Sequence, residues 1–332
     1  MGTLEWVAVV LFVALAAYAV FAGADFGGGV LDLVARGPRR EAQREAIAGA
    51  IGAVWEANHV WLIFVIVLLF SCFPAGSAVL SQALFVPFHL LLLGVILRGV
   101  SFVFRSYGPH RTVLLRRWGR LFGIASVASP VLLGVCLGAV SSGRVRVIDG
   151  AVLGAAAAVL SPLSVALGLF ALAVCAYLAA VFLTVETEGT LADDFRRYAL
   201  EIGGAVVALS GVVLALVGRE APHLWRGLTE GPGRAVVSLG AAAALASGGL
   251  LLTRRYRAAR AATVVQVVSL LGGWAAAQWP FLVYPDVRAD QTAAPQATLV
   301  AVLTTLIPAA LLVVPSLALL FWVFKARPDR AR

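Results

Sequence analysis

Trp55-Glu56-Ala57-Asn58-His59-Val60-Trp61 sets a carboxylate, an amide and an imidazole at the head of a run that continues Leu-Ile-Phe-Val-Ile-Val-Leu-Leu-Phe to residue 70. So apolar a run is a membrane helix, and an ionisable side chain inside one is costly unless it has work to do. The preceding apolar stretch carries a second acid, Asp25, within Gly23-Ala24-Asp25-Phe26-Gly27-Gly28-Gly29. The two segments set the class of the protein and its candidate site.

The rest of the chain agrees. Of 332 residues 61% are hydrophobic and 13% charged, whereas soluble domains carry about 25% charged residues. The bilayer is therefore the solvent, and a net charge of +9 concerns topology rather than nucleic acid. Cys72, Cys136 and Cys175 lie far apart in apolar segments and read as small hydrophobes. The first apolar run lacks a basic leader and has spanning length, so it reads as a retained helix and not a cleaved signal.

Nine spans are expected, at 5–34, 45–72, 78–104, 120–141, 161–185, 199–218, 234–253, 260–280 and 297–325. They form one all-α transmembrane domain over residues 1–332. Of the 26 Lys and Arg residues, 19 follow the odd-numbered spans and 6 the even-numbered ones. The positive-inside rule then predicts an N-terminus outside and a C-terminus in the cytoplasm. Pro280 and Pro285 stop the eighth span. The pairs Gly203-Gly204, Gly248-Gly249 and Gly272-Gly273 predict close helix approach.

With a rise of about 1.5 Å per residue, Asp25 lies roughly 14 Å and Glu56 roughly 16 Å from the cytoplasmic ends of their spans. Arg98 lies roughly 9 Å from the cytoplasmic end of the third span. It can reach the acids or snorkel to the interface. Asp25, Glu56 and Arg98, with His59 on the face of Glu56, are candidates for a proton path from the cytoplasm. The competing reading is a structural acid–arginine pair. Trp55, Asn58 and Trp61 are the supporting polar and aromatic residues. Glu56-x-x-His59 is half of a di-iron signature whose other half is absent, so no metal site is expected. His89 is expected to be hydrogen-bonded within the bundle. The glycines around Asp25 serve either close packing or local unwinding that admits water.

At these residues the chain resembles subunit II of cytochrome bd-type quinol oxidases. The resemblance rests on Ala19-Val20-Phe21-Ala22-Gly23-Ala24-Asp25-Phe26-Gly27, on Trp55 to Leu62, and on Leu97-Arg98-Gly99-Val100-Ser101-Phe102 with Phe104-Arg105-Ser106. Ser161-Pro162, Thr184-Glu186-Thr187 with Gly189 and Leu191, and Ala277-Gln278-Trp279-Pro280 extend it over nearly the whole chain. It implies two four-helix bundles plus a peripheral helix in a bacterial or archaeal cytoplasmic membrane. It implies a heterodimer with a haem-bearing subunit I that oxidises quinol and reduces O₂ to water in aerobic respiration. On this reading the b- and d-type haems belong to the partner. This chain carries none, is inactive alone, and helps deliver cytoplasmic protons; Asp25 and Glu56 match acidic positions of the family and Arg98 a basic one. The family leaves room for a structural quinone and a small single-span accessory subunit. Many members have a second acid where this chain has Ala22, Asp at position 56, and Gln or Glu at position 59. A secondary transporter built around the Asp/Glu/Arg group and a purely structural scaffold are the alternatives.

Overall fold

A computed structural model describes the backbone of residues 2–51, 55–107 and 112–325; side chains at 51–59, 105–116, 314, 317, 318 and 320–325 lie outside the described set. Helix α1 (Thr3–Val34) is followed by α2 (Arg40–Ile51), α3 (Trp55–Cys72), α4 (Pro74–Ala83), α5 (Phe85–Tyr107) and α6 (Thr112–Ser141). A hairpin of β1 (Arg146–Ile148) and β2 (Ala151–Leu153) and the short α7 (Ala155–Val159) lead to α8 (Pro162–Glu186) and α9 (Gly189–Glu220). Then come α10 (Pro222–Thr229), α11 (Gly231–Leu252) and α12 (Tyr256–Gln278). A second hairpin, β3 (Phe281–Val283) and β4 (Val287–Arg288), with α13 (Ala289–Thr292), precedes α14 (Gln296–Lys325). Both hairpins are antiparallel.

Among the described residues eight helices are long and apolar enough to cross a membrane, and Val60–Cys72 of α3 is a shorter apolar helix. One expected boundary needs correction. The third span does not begin at residue 78: the helix breaks at Leu84, and the crossing segment is α5. Pro87 causes the break, because it has no N–H to give the carbonyl one turn earlier. The detached α4 packs on the hairpins of that end, with Gly76 against Leu282 and Thr292. The expected second span, 45–72, is described in two stretches, α2 and α3, with residues 52–54 outside the described residues. The first turns of α2 are mostly charged and exposed, and Ile47 in its second half packs into the core.

Helix α1 lies against α3, α6, α8 and α12, and α14 packs on α1 and α3. Other extensive contacts join α5 to α6, α6 to α8, α8 to α9 and α11 to α12. Without a hydrophobic drive between helices in lipid, close packing and interhelical hydrogen bonds must hold them. Small residues supply the first. A Cβ on Gly27 would fall 1.9 Å from the Cys175 carbonyl oxygen, and one on Gly134 2.3 Å from that of Leu167. Buried hydroxyls supply the second: Tyr177 Oη and Ser247 Oγ are 2.7 Å apart, as are Ser247 Oγ and Thr263 Oγ1, joining α8, α11 and α12. The Gly-Gly expectation holds at Gly203, Gly272 and Gly273, which meet neighbours. It fails at Gly204, Gly248 and Gly249, where a Cβ would meet nothing within 4 Å among the described residues.

Charged side chains collect at the two ends. At one, Arg39 pairs with Asp194, Arg254 with Asp193 and Arg260 with Glu186. At the other, Arg146 pairs with Asp286 and Arg144 with Glu220.

Candidate functional site

Asp25 lies in the C-terminal third of α1, and the helix runs through Gly27, Gly28 and Gly29 without a break. Of the two roles open to these glycines, packing is the one seen. Gly27 admits α8, and Gly29 admits α6, where a Cβ would stand 2.1 Å from Ser126 Oγ. Close approach of α6 and α5 then carries Ser126 and Arg98 up to Asp25.

Arg98 does not snorkel. Its side chain is 1% exposed and that of Asp25 3%. Nη1 donates to Asp25 Oδ2 at 2.6 Å and Nη2 to Oδ1 at 2.6 Å, a two-pronged ion pair. Nη2 also donates to the Asp25 backbone carbonyl at 3.0 Å, and Nε to Ser126 Oγ at 3.0 Å. The guanidinium carbon lies 4.7 Å from the Phe122 ring centre and 5.1 Å from that of Phe26. So the cation has hydrogen bonds in its plane and aromatic faces above it, the environment a buried guanidinium needs. The pair ties α1, α5 and α6 together. Removing one partner from such a pair strands the other charge, typically at about 3–5 kcal/mol.

Of the predicted site residues, the structure therefore joins Asp25 and Arg98. Trp61 packs against a cluster of Tyr18, Ala22 and Phe26 beside the pair. Ala22, the position where many family members carry an acid, is fully buried there. Trp55, Glu56, Asn58 and His59 fall on α3, and their side chains lie outside the described residues. His89 is not in the bundle interior as expected. It stands on the exposed face of α5, one turn from its start, with Nδ1–H donating to the Phe85 carbonyl at 2.7 Å. Among the described residues no three His, Cys, Asp or Glu side chains gather as metal ligands.

Sequence reasoning missed Ser126, Phe122 and Tyr18. Ser126 belongs to a recurrent small and polar pattern in α6, Gly123, Ser126 and Ser129, which marks a packed face. Tyr18 stands seven residues before Asp25, hence on the same side of the helix, 3% exposed. Its hydroxyl has no hydrogen-bond partner among the described residues, and neither has that of Ser101 on α5.

A second polar group sits at the opposite end. His223 of α10 stacks on Tyr284 with ring centres 3.5 Å apart. Burial pushes its imidazole below the ordinary histidine range, against an opposing effect of the Gln278 side chain, and the neighbouring Arg226 acts in the same direction as burial. The Arg146 guanidinium beside Asp286 holds that carboxyl below the usual carboxylate range.

A family model for cytochrome bd terminal oxidase subunit II matches residues 3–324. A Bacillus subtilis protein described as a putative cytochrome bd menaquinol oxidase subunit II is 24% identical over 326 residues, covering 94% of this chain and 92% of that one. Another from the same organism, a cytochrome bd ubiquinol oxidase subunit 2, is 29% identical over 185 residues, 55% of this chain and 54% of the relative. The match to the latter thus spans about half of that relative's length. A chain in the structure of bd oxidase from Geobacillus thermodenitrificans superposes with a TM-score of 0.83 over 98% of this chain and 100% of that one, at 22% identity. At that identity the likeness shows the fold.

Proposed function

Since the chain belongs to the cytochrome bd terminal oxidase subunit II family, we propose that it is the haem-free partner of a haem-bearing subunit I in a membrane quinol:oxygen oxidoreductase, and that it helps bring cytoplasmic protons to the site of O₂ reduction. The buried Asp25–Arg98–Ser126 group carries this reading. A charge pair taken from water into the bilayer interior is retained against a large desolvation cost. A carboxylate there still has free lone pairs toward its surroundings after Arg98 has taken two. Glu56 on the adjacent helix supplies a second acid at similar depth, and His59 a group able to titrate near neutral pH.

Haem would supply the electron transfer and the O₂ chemistry. On this reading the haem is held by the partner subunit. This chain's part is to position the partner and to carry protons. An apolar groove between α1, α8 and α9, lined by Val30, Leu31, Leu169 and Ile202 among others, suits the tail of a bound quinone or a lipid chain. Helices α1, α3, α5 and α6 would form one bundle and α8, α9, α11 and α12 the other, with α14 peripheral. The arginine-rich end would face the cytoplasm.

The transporter alternative would require paired interrupted helices around the site, whereas α1 is unbroken at Asp25. The scaffold alternative draws on one specific observation, the near-complete satisfaction of Arg98 within the chain.

The test uses the assembled complex with Asp25→Asn and, separately, Glu56→Gln. Haem content by reduced-minus-oxidised spectra reports assembly, and quinol-driven O₂ uptake reports turnover. Slowed uptake per assembled haem is expected in both, with normal haem bands in Glu56→Gln, while Asp25→Asn also strands the Arg98 charge and lowers the melting temperature. Full uptake in both amides would leave only the scaffold role. A wild-type preparation without haem or a second membrane subunit would move the transporter reading forward.

A further inference from the structure

Two fully buried hydroxyls flank the Asp25–Arg98 pair and find no hydrogen-bond partner among the described residues: Ser101, 0% exposed, and Tyr18, 3% exposed. Ser101 follows Arg98 by three residues on α5, so it shares a face with it and lies about 4.5 Å nearer the arginine-rich end. Tyr18 precedes Asp25 by two turns on α1, about 10 Å toward the opposite end. Its ring meets Phe26 edge-on at 6.5 Å, and Phe26 is one of the two rings that carry the Arg98 guanidinium. One hydroxyl is therefore on each side of the ion pair, along the direction in which a proton would travel.

An orphaned buried hydroxyl costs about 1–3 kcal/mol. Polar groups in such positions are ordinarily satisfied by buried water making two to four hydrogen bonds. We infer that Ser101 and Tyr18 each anchor water beside the Asp25–Arg98 pair, Ser101 at the entry and Tyr18 at the exit of one hydrogen-bonded file. This rests on the proton-path reading and adds its two end stations. A proton advances by hops. Each water accepts one on its entry side and releases another on its exit side, and the Tyr18 hydroxyl passes one on by accepting and donating without ionising. No oxidant or reductant is consumed, and the net change is one proton moved.

Ser101→Ala and Tyr18→Phe are compared in the intact complex with Ser129→Ala, whose hydroxyl already donates to the Ala125 carbonyl at 2.9 Å. If the two orphans are mere packing defects, their removal leaves turnover unchanged and stability unchanged or raised. If they hold the file, turnover falls while haem content and melting temperature stay normal. The expected loss is about tenfold, less than a positioned acid or base contributes because water bypasses a single hydroxyl in part. The slowed variants also show a larger H₂O/D₂O rate ratio, Ser101→Thr restores turnover, and Ser129→Ala behaves as the parent. Should Tyr18→Phe fail to assemble, the Ser101 pair decides. Parental turnover in Ser101→Ala alongside a slow Asp25→Asn overturns this inference alone, and parental turnover in both Asp25→Asn and Glu56→Gln overturns the proton path beneath it.

Discussion

Arg98 donates four hydrogen bonds, three to Asp25 and one to Ser126, from a position with 1% exposure. Deleting the guanidinium leaves a carboxylate alone in a low dielectric. Arg98→Met is therefore expected to cost about 3–5 kcal/mol and to lower the melting temperature of the complex. Adding Asp25→Asn to it should recover much of that loss, because the stranded charge goes too. Recovery of stability without recovery of O₂ uptake would separate the structural part of the pair from its transport part. Both members were legible as sequence, since lipid makes every ionisable residue conspicuous. Ser126 was not, because serine is ordinary in membrane helices. Its role depends on which face of α6 meets Gly29.

Glycine decides how the elements meet, and it does so unequally. Gly27→Ala would drive a Cβ to 1.9 Å from the Cys175 carbonyl oxygen, so α1 and α8 must part. The expected cost is about 1–3 kcal/mol, the usual penalty of overpacking. Gly248→Ala meets nothing within 4 Å and should be neutral or stabilising by about 0.4–1 kcal/mol, through the lower entropy of the unfolded chain. Thermal melts of the two purified variants would order them; equal melts would mean that α1 and α8 are not in tight contact. A reader of the sequence sees Gly248-Gly249 and Gly272-Gly273 as alike, because the face a glycine presents is set by a neighbour far away in the chain. The break between α4 and α5 is different: Pro87 announces it locally.

The whole molecule is fastened at its two ends by charge and in its interior by small residues and hydroxyls. The end bearing the hairpins should be sensitive to acid. The His223 imidazole has its pKa lowered by burial, so the fold favours its neutral form. Its contribution is complete above the unfolded value of about 6.5 and is lost as the pH falls through the folded value. The Asp286 carboxyl, lowered by Arg146, adds stability above about 3.9 that is lost further down. That second part is under about 1 kcal/mol, because the pair is largely in contact with solvent. The protection of residues 279–295 against hydrogen exchange, taken relative to the intrinsic rate at each pH, is expected to fall as the pH drops below about 6.5. His223→Phe should abolish that first step and keep the stacking on Tyr284. Protection that does not change with pH in the parent would show that His223 carries no such load.

The sequence by itself determined that the chain is a bundle of membrane helices, which ends carry arginine, and that Asp25 and Arg98 sit where bare charge is unaffordable. These follow from composition, length and the price of charge in lipid, all of which act on each segment separately. Only the tertiary structure decided that Arg98 turns inward to grip Asp25, that Ser126 and two aromatic rings complete its shell, and that Tyr18 and Ser101 find no hydrogen-bond partner among the described residues. Those outcomes depend on which helix faces meet. In lipid no hydrophobic periodicity marks the inner face, since the surroundings are as apolar as the core.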